Sequence, residues 1–338
     1  MGWDMLGHDW AVQLLSEHVA HNQVRHAYLF TGPQGVGRRT LALRFTQALN
    51  CPQPTAPGEP CRTCRTCQQI ERMAYPDLAV VQAEARGGTL KVDQIRELQH
   101  SLALKPYAAN YRVALLLHFE EAHPSAANAL LKTLEEPAPQ VVLMLTAEDA
   151  ELLLPTIVSR CEMLRLRPPA IETVQRELET HWDIPPEKAK LLAHISGGRP
   201  GYALQLFHEK SQLEQRERWL KDHQKILAAN RVQRFAFAEM LHPREKDKEK
   251  IKEDLRNMCL VWSSLWRDIF MRATGATIPV INTDQEETID TLAAEFDPET
   301  AWCTFQLLER TLRLLETNVN TRLAIEVLLL DLPQNAVK

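Results

Sequence analysis

The sequence predicts an α/β domain built on a parallel sheet, then a small helical unit and a long all-α segment. Three observations carry that prediction. The stretch His26 to Leu43 runs from an apolar segment (Ala27 to Phe30) through a Gly-rich turn, Gly32-Pro33-Gln34-Gly35-Val36-Gly37, into a segment with helical periodicity. That is the strand, loop and helix context of a phosphate-binding loop. Apolar strands then alternate with amphipathic helices as far as Leu166, as a parallel sheet requires. Beyond Pro168-Pro169 no convincing strand follows.

Taken in order, residues 3 to 25 carry Val12, Leu14, Leu15 and Val19 at helical spacing and lead into the strand 27–30. Thr40 to Leu49 reads as the helix that would aim its N-terminus at a phosphate. A Pro- and Gly-rich excursion (52–60) delivers a cysteine cluster, an insertion into the α/β pattern. Leu78 to Val81 is a short strand and Val92 to Leu104 a helix. Val113 to Leu117 is a buried strand, which places His118, Phe119, Glu120 and Glu121 at the carboxyl end where open α/β sheets bind ligands. Ser125 is read as the N-cap of a helix over Ala126 to Glu136, stopped by Pro137. Val141 to Thr146 is a strand, and Pro155 opens a helix ending at Ser159-Arg160-Cys161. The expected divisions are 1–167, 168–208 and 209–338. In the last of these the charged run Arg244 to Arg256 is read as a solvated helix face, because its Lys and Glu/Asp neutralise one another.

The 338 residues carry 39 basic and 44 acidic side chains, a net charge of −5, so no global field draws the chain to nucleic acid or an anionic membrane. The N-terminus lacks a basic, apolar leader pattern, and no run approaches the roughly 18 to 20 apolar residues of a spanning helix. The expectation is a cytoplasmic protein without membrane contact.

The loop departs from a working phosphate loop at two positions. Gly32, Gly35 and Gly37 supply the turn, but Arg38 stands where the phosphate lysine belongs and Arg39 where the magnesium-ligating hydroxyl belongs. Arg38 keeps charge without the compact shape, and Arg39 puts a fixed cation where a dication would sit. Thr40 does not replace the hydroxyl, since one residue along a helix rotates the side chain by about 100°. An acid at the strand tip is also needed; Glu120 or Glu121 serves only if the strand continues through Phe119. His118 reads as a surface histidine. ATP with magnesium is therefore not expected in this site.

Four of seven cysteines, Cys51, Cys61, Cys64 and Cys67, follow the spacing C-x9-C-x2-C-x2-C. In a chain expected to be cytosolic, such clustering argues for metal rather than disulfides. Four soft thiolates favour a structural zinc. An iron–sulfur cluster is the rival, but Glu71 occupies the position its ligand run would require. Arg62 and Arg65 are expected to help hold the thiols ionised. Arg160 has two readings: a cation complementing a helix C-terminus, or an arginine finger offered to another subunit's nucleotide.

These stretches, with Lys91 to Arg96, Ala126 to Pro137, Leu154 to Cys161 and Asn318 to Ala324, resemble the bacterial clamp-loader subunits of the AAA+ class over nearly the full length. The resemblance implies an AAA+ base (1–167) with a zinc module (51–67), a helical lid (168–208) and a helical collar (209–338) that joins a hetero-pentamer. It implies as partners the ATPase subunits (gamma or tau) and a delta subunit, and, through the complex, a sliding clamp and primer-template DNA. The family's ATPases keep intact nucleotide motifs, whereas its stator has a degenerate site. Arg38, Arg39 and Gly201, where an active lid carries a sensing arginine, fit the stator. The Ser159-Arg160-Cys161 motif matches the one whose arginine acts in trans on a neighbour's ATP. An active AAA+ ATPase and an independent zinc-dependent DNA binder are the alternatives.

Overall fold

Five short strands form one all-parallel sheet: β1 (Ala27–Thr31), β2 (Leu78–Val81), β3 (Arg112–Leu116), β4 (Val141–Ala147) and β5 (Glu162–Arg165). Their order is β2-β3-β4-β1-β5, so β1 is flanked by β4 and β5. The computed structural model describes residues 2–84, 88–103, 106–107, 109–242, 247–317 and 319–334, with the side chain of Lys248 also left out. The chain divides into two units, Met1–Trp182 with Gly198–Ala203, and Asp183–Gly197 with Leu204–Lys338. The segment 168–208 is thus shared between them.

Strand side chains alternate between faces, and here both faces are covered. Tyr28 and Phe30 of β1, Val113 and Leu115 of β3, and Val142 and Met144 of β4 pack with α1 (Asp9–Ala20) and α2 (Arg38–Asn50). Ala27 and Leu29, Ala114 and Leu116, and Leu143 and Leu145 pack on the other side with α4 (Val92–Leu102) and α5 (Pro124–Glu135). In the chain α3 (Arg65–Glu71) falls between α2 and β2, and α6 (Pro155–Val158) precedes β5. This is the α/β base the sequence predicts.

Several boundaries differ. The first helix occupies only Asp9–Ala20, and α4 ends at Leu102; Leu104 lies outside the described residues. His123, not Ser125, caps α5: Pro124 opens the helix, and the Ser125 N–H donates to His123 Nδ1 at 3.3 Å. β5 was not foreseen, because only Leu164 of its four residues is buried. β3 ends at Leu116, one residue early.

After α7 (Ile171–His181), the remaining described elements are helical apart from a short 3-10 turn at Thr283–Gln285: α8 (Pro186–Ile195), α9 (Pro200–His208), α10 (Lys210–Ala228), α11 (Arg231–Met240), α12 (Lys248–Ala273), α13 (Glu286–Glu295), α14 (Pro298–Glu316) and α15 (Thr321–Asp331). Of the charged run, Arg244 lies outside the described residues; within α12, Glu249 and Lys250 are exposed while Ile251 and Leu255 face the core. Asn320 caps α15, accepting from the N–H groups of Arg322 and Leu323; Asn318 is not among the described residues. Buried Arg234 closes the other end of α15 by donating to the carbonyls of Leu329, Leu332 and Pro333. Those carbonyls have no partner within the helix itself.

His223 is fully enclosed beside Trp262 and Trp266, and its Nε2 accepts from Trp266 Nε1 at 2.8 Å. Burial pushes its pKa down to about 3. A histidine whose folded pKa is depressed contributes stability that is full above its unfolded pKa, about 6.5, and is lost as pH falls toward the folded value. Between pH 6.5 and 5 this loss amounts to about 2 kcal/mol. His223→Phe is expected to flatten that part of the profile in denaturant unfolding followed by tryptophan fluorescence; an unaltered slope would contradict the assignment.

Candidate functional site: a modified phosphate loop, a four-cysteine cluster and an exposed arginine

The turn after β1 has a backbone that only glycine adopts without strain. Gly32, Gly35 and Gly37 have φ of 144°, 81° and 113°. A Cβ on Gly32 would lie 2.3 Å from the Leu166 carbonyl oxygen, and one on Gly35 would lie 2.8 Å from the Tyr202 backbone nitrogen. The Gly201 N–H donates to the Gly35 carbonyl at 2.9 Å, and Arg199 donates to that of Gln34 at 3.4 Å while its guanidinium stacks 4.7 Å over Tyr202. On another side the His8 ring donates from Nε2 to the Val36 carbonyl at 3.0 Å, and burial lowers its pKa. Gly201 therefore meets the loop with its backbone.

Arg38 opens α2 and is 5% exposed, while Arg39 and Thr40 face solvent. Its Nη1 lies 4.0 Å from Glu120 Oε1, and among the described residues that nitrogen makes no hydrogen bond. Burial depresses the Arg38 pKa, opposed by the charges of Glu120 and Glu148. Glu120 arrives by an unexpected route. The strand does not continue through Phe119; the chain turns at His118, φ 51°, into a 3-10 turn over Phe119–Glu121 that buries Phe119 and carries Glu120 back toward Arg38. Burial raises the Glu120 pKa, but His118, its own backbone N–H and the Arg38 charge together hold it below the usual range. His118 Nδ1 is 3.7 Å from the same carboxylate, so this histidine borders the site.

The four cysteine Sγ atoms all lie within 4.8 Å of one another. A tetrahedral ion with bonds of about 2.3 Å separates sulfurs by about 3.8 Å, so the cluster fits zinc. Cys51 directly follows α2 and Cys64 caps α3. Backbone N–H groups point at the sulfurs: Cys61 N–H to Cys51, Cys64 N–H to Cys61 and Cys67 N–H to Cys64, each at 3.4 Å. Burial works against ionisation of Cys61, but the N–H groups of Cys64 and Thr63 outweigh it and bring the thiol to about 6. Burial pushes Cys51 and Cys67 up. The Arg62 guanidinium does not serve the thiols as expected; it pairs with Asp4 at 2.8 Å, and Arg65 is exposed.

Two buried polar residues of α2 anchor this insertion. Gln47 donates to the Cys67 carbonyl at 2.8 Å and to Glu71 at 2.9 Å, and Arg44 pairs with Glu71. Glu71 thus has a structural partner. Sequence periodicity gave no signal for Arg44 and Gln47, which lie inside the helix that follows the loop.

Arg160 lies just beyond α6, with its side chain about one third exposed. Its Nη1 donates to the Thr156 carbonyl at 2.8 Å and its Nη2 to Glu135 Oε1 at 2.7 Å. The first bond is the helix-terminus complement anticipated from sequence. Glu135 was not anticipated.

Residues 7–170 match the family model for the DNA polymerase III delta subunit, and residues 210–334 match that for the delta subunit's C-terminal part. The chain is 35% identical over 222 residues to DNA polymerase III subunit delta′ of Pseudomonas aeruginosa, covering 64% of this chain and 66% of that one. It is 27% identical over 323 residues to subunit delta′ of Bacillus subtilis, covering 96% and 95%. It is 31% identical over 208 residues to subunit tau of Escherichia coli, covering 60% of this chain but only 32% of tau. With matches in both the α/β and the helical parts and a delta′ relative aligned along almost its entire length, the chain belongs to the delta′ family of DNA polymerase III clamp-loader subunits.

Proposed function

We propose that this subunit does not hydrolyse ATP itself and acts on a neighbour's nucleotide through Arg160. The observation that carries the reading is the contrast between two arginines: Arg38 is buried against Glu120 inside the loop, whereas Arg160 reaches the surface. A lysine and a hydroxyl would bind phosphate and magnesium there. Here the Arg38 guanidinium and the Glu120 carboxylate satisfy each other's charge, and Arg39 repels a dication. Gly32, Gly35 and Gly37 then preserve the turn rather than a nucleotide site, and Thr40 faces solvent within α2.

Arg160 would supply charge to the γ-phosphate of an adjacent gamma or tau ATPase as bonds rearrange. Residues 209–338 form the collar that joins a hetero-pentamer with those ATPases and a delta subunit, residues 168–208 the lid, and 1–167 the base. The complex, rather than this chain alone, loads the sliding clamp onto primed DNA. Cys51, Cys61, Cys64 and Cys67 hold a structural zinc that closes the insertion on α2 and α3. Bound metal there supplies cross-linking and takes no part in hydrolysis. Among the described residues no helix is long and apolar enough to cross a membrane, and the proposed site of action is the cytoplasm.

Three measurements test this reading. The isolated chain is expected to show no magnesium-dependent ATP turnover; turnover by the purified chain would restore the motor reading. Elemental analysis is expected to find about one zinc per chain, and Cys61→Ser with Cys64→Ser to lose it with a lower Tm, since structural zinc contributes directly to folding; bound iron or sulfide would favour a cluster instead. In the reconstituted loader, Arg160→Ala is expected to leave assembly intact and to lower clamp- and DNA-stimulated turnover by at least the share of the one site it serves, because arginine fingers are worth about 10³-fold or more at their site. Unchanged turnover would remove Arg160 from the mechanism.

A further inference from the structure

We propose that Glu135 is the positioning residue for Arg160, fixing the guanidinium so that its remaining N–H edge meets a partner's phosphate. This rests on the reading above, that Arg160 acts in trans. A partly exposed arginine samples many rotamers, and ordering it during reaction costs side-chain entropy. Two acceptors on different elements remove most of that freedom: the Thr156 carbonyl on α6 at 2.8 Å and the Glu135 carboxylate on α5 at 2.7 Å. Ser159 Oγ, at 3.5 Å from Nη1, lies on the same side as Thr156. A guanidinium has five N–H donors in one plane, so anchoring Nη1 and Nη2 fixes the plane and leaves other donors for phosphate oxygens.

Two features argue that the pair does more than stabilise the fold. Glu135 is the last residue of α5, where a carboxylate faces the negative end of the helix dipole. Locally it is the wrong charge. The pair is also open to water, with Arg160 35% and Glu135 51% exposed, and such pairs add little to stability. A charge that is unfavourable for its own helix and nearly neutral for the fold is explained by the orientation it gives Arg160.

The test uses the complete loader reconstituted with wild-type chain, Glu135→Ala, Glu135→Gln, Arg160→Ala and the double variant, with clamp- and DNA-stimulated ATP turnover as the readout. Glu135→Ala is expected to lower kcat about two- to fivefold at unchanged KM for ATP, with the isolated chain's Tm unaltered. Glu135→Gln, which keeps an acceptor, is expected to recover part of the loss. The wild-type advantage over Glu135→Ala should shrink as ionic strength rises, since salt screens an exposed pair. The double variant should turn over no more slowly than Arg160→Ala alone. If Arg160→Ala lowers turnover while Glu135→Ala does not, or raises it, or if the two losses multiply, the positioning role is overturned and the finger stands. If Arg160→Ala itself has no effect, both fall.

Discussion

The α/β unit depends on one backbone constraint: the turn between β1 and α2 has to run through three positive-φ glycines without a side chain in the way. The Leu166 carbonyl lies against Gly32, Tyr202 against Gly35 and the Met5 side chain 3.3 Å from a Cβ on Gly37. Segments far apart in sequence therefore close on the loop from several sides, with Gly201 and His8 bonding its carbonyls. Any L side chain at Gly32 or Gly35 meets both a backbone clash and a strained φ. The loop's shape is maintained by protein contacts of the kind that persist without a ligand.

That constraint clarifies why Arg38 differs from the other buried arginines. Arg44, Arg216 and Arg234 are each met by several acceptors: Arg44 by the Trp3 carbonyl, Gln47 and Glu71, Arg216 by Asn282 and both oxygens of Asp284, and Arg234 by helix-end carbonyls. Among the described residues, Arg38 alone of these four has a buried nitrogen without a hydrogen bond, and Glu120 across from it has a buried Oε2 without one. Charge is balanced there while hydrogen bonding is incomplete.

The sequence was most informative where spacing or periodicity encodes structure directly. β1 to β4 are mostly apolar, with the inner strands β1, β3 and β4 almost wholly buried and the edge strand β2 burying only Leu78, and the cysteine spacing brought four sulfurs together. β5 was invisible because an edge strand carries Glu162, Met163 and Arg165 outward and leaves a single buried leucine. The Ser125 cap failed because Pro124 can begin a helix one residue earlier, with His123 as acceptor. From sequence, Glu120 reaches the site only as an extension of β3. A left-handed His118 and a three-residue turn, neither encoded by periodicity, carry it to Arg38 instead.

Arg160 and Glu135 show the same limit at the surface. The place of Arg160 after a short helix was legible because it is local. Glu135 lies 25 residues earlier in the chain, and only the packing of α5 beside α6 makes them neighbours. What the sequence did offer was a conflict: an acid closing a helix whose dipole favours a base there. Conflicts of this kind, a residue unfavourable for its own element, mark positions where a distant partner sets the choice. Arg38 at the start of α2 is another, since a cation is unfavourable at a helix N-terminus and is accepted here with Glu120 beside it. The two mismatched charges have opposite settings. Arg38 is enclosed with its acid inside the loop, whereas Arg160 is held by its acid at the surface, about one third exposed.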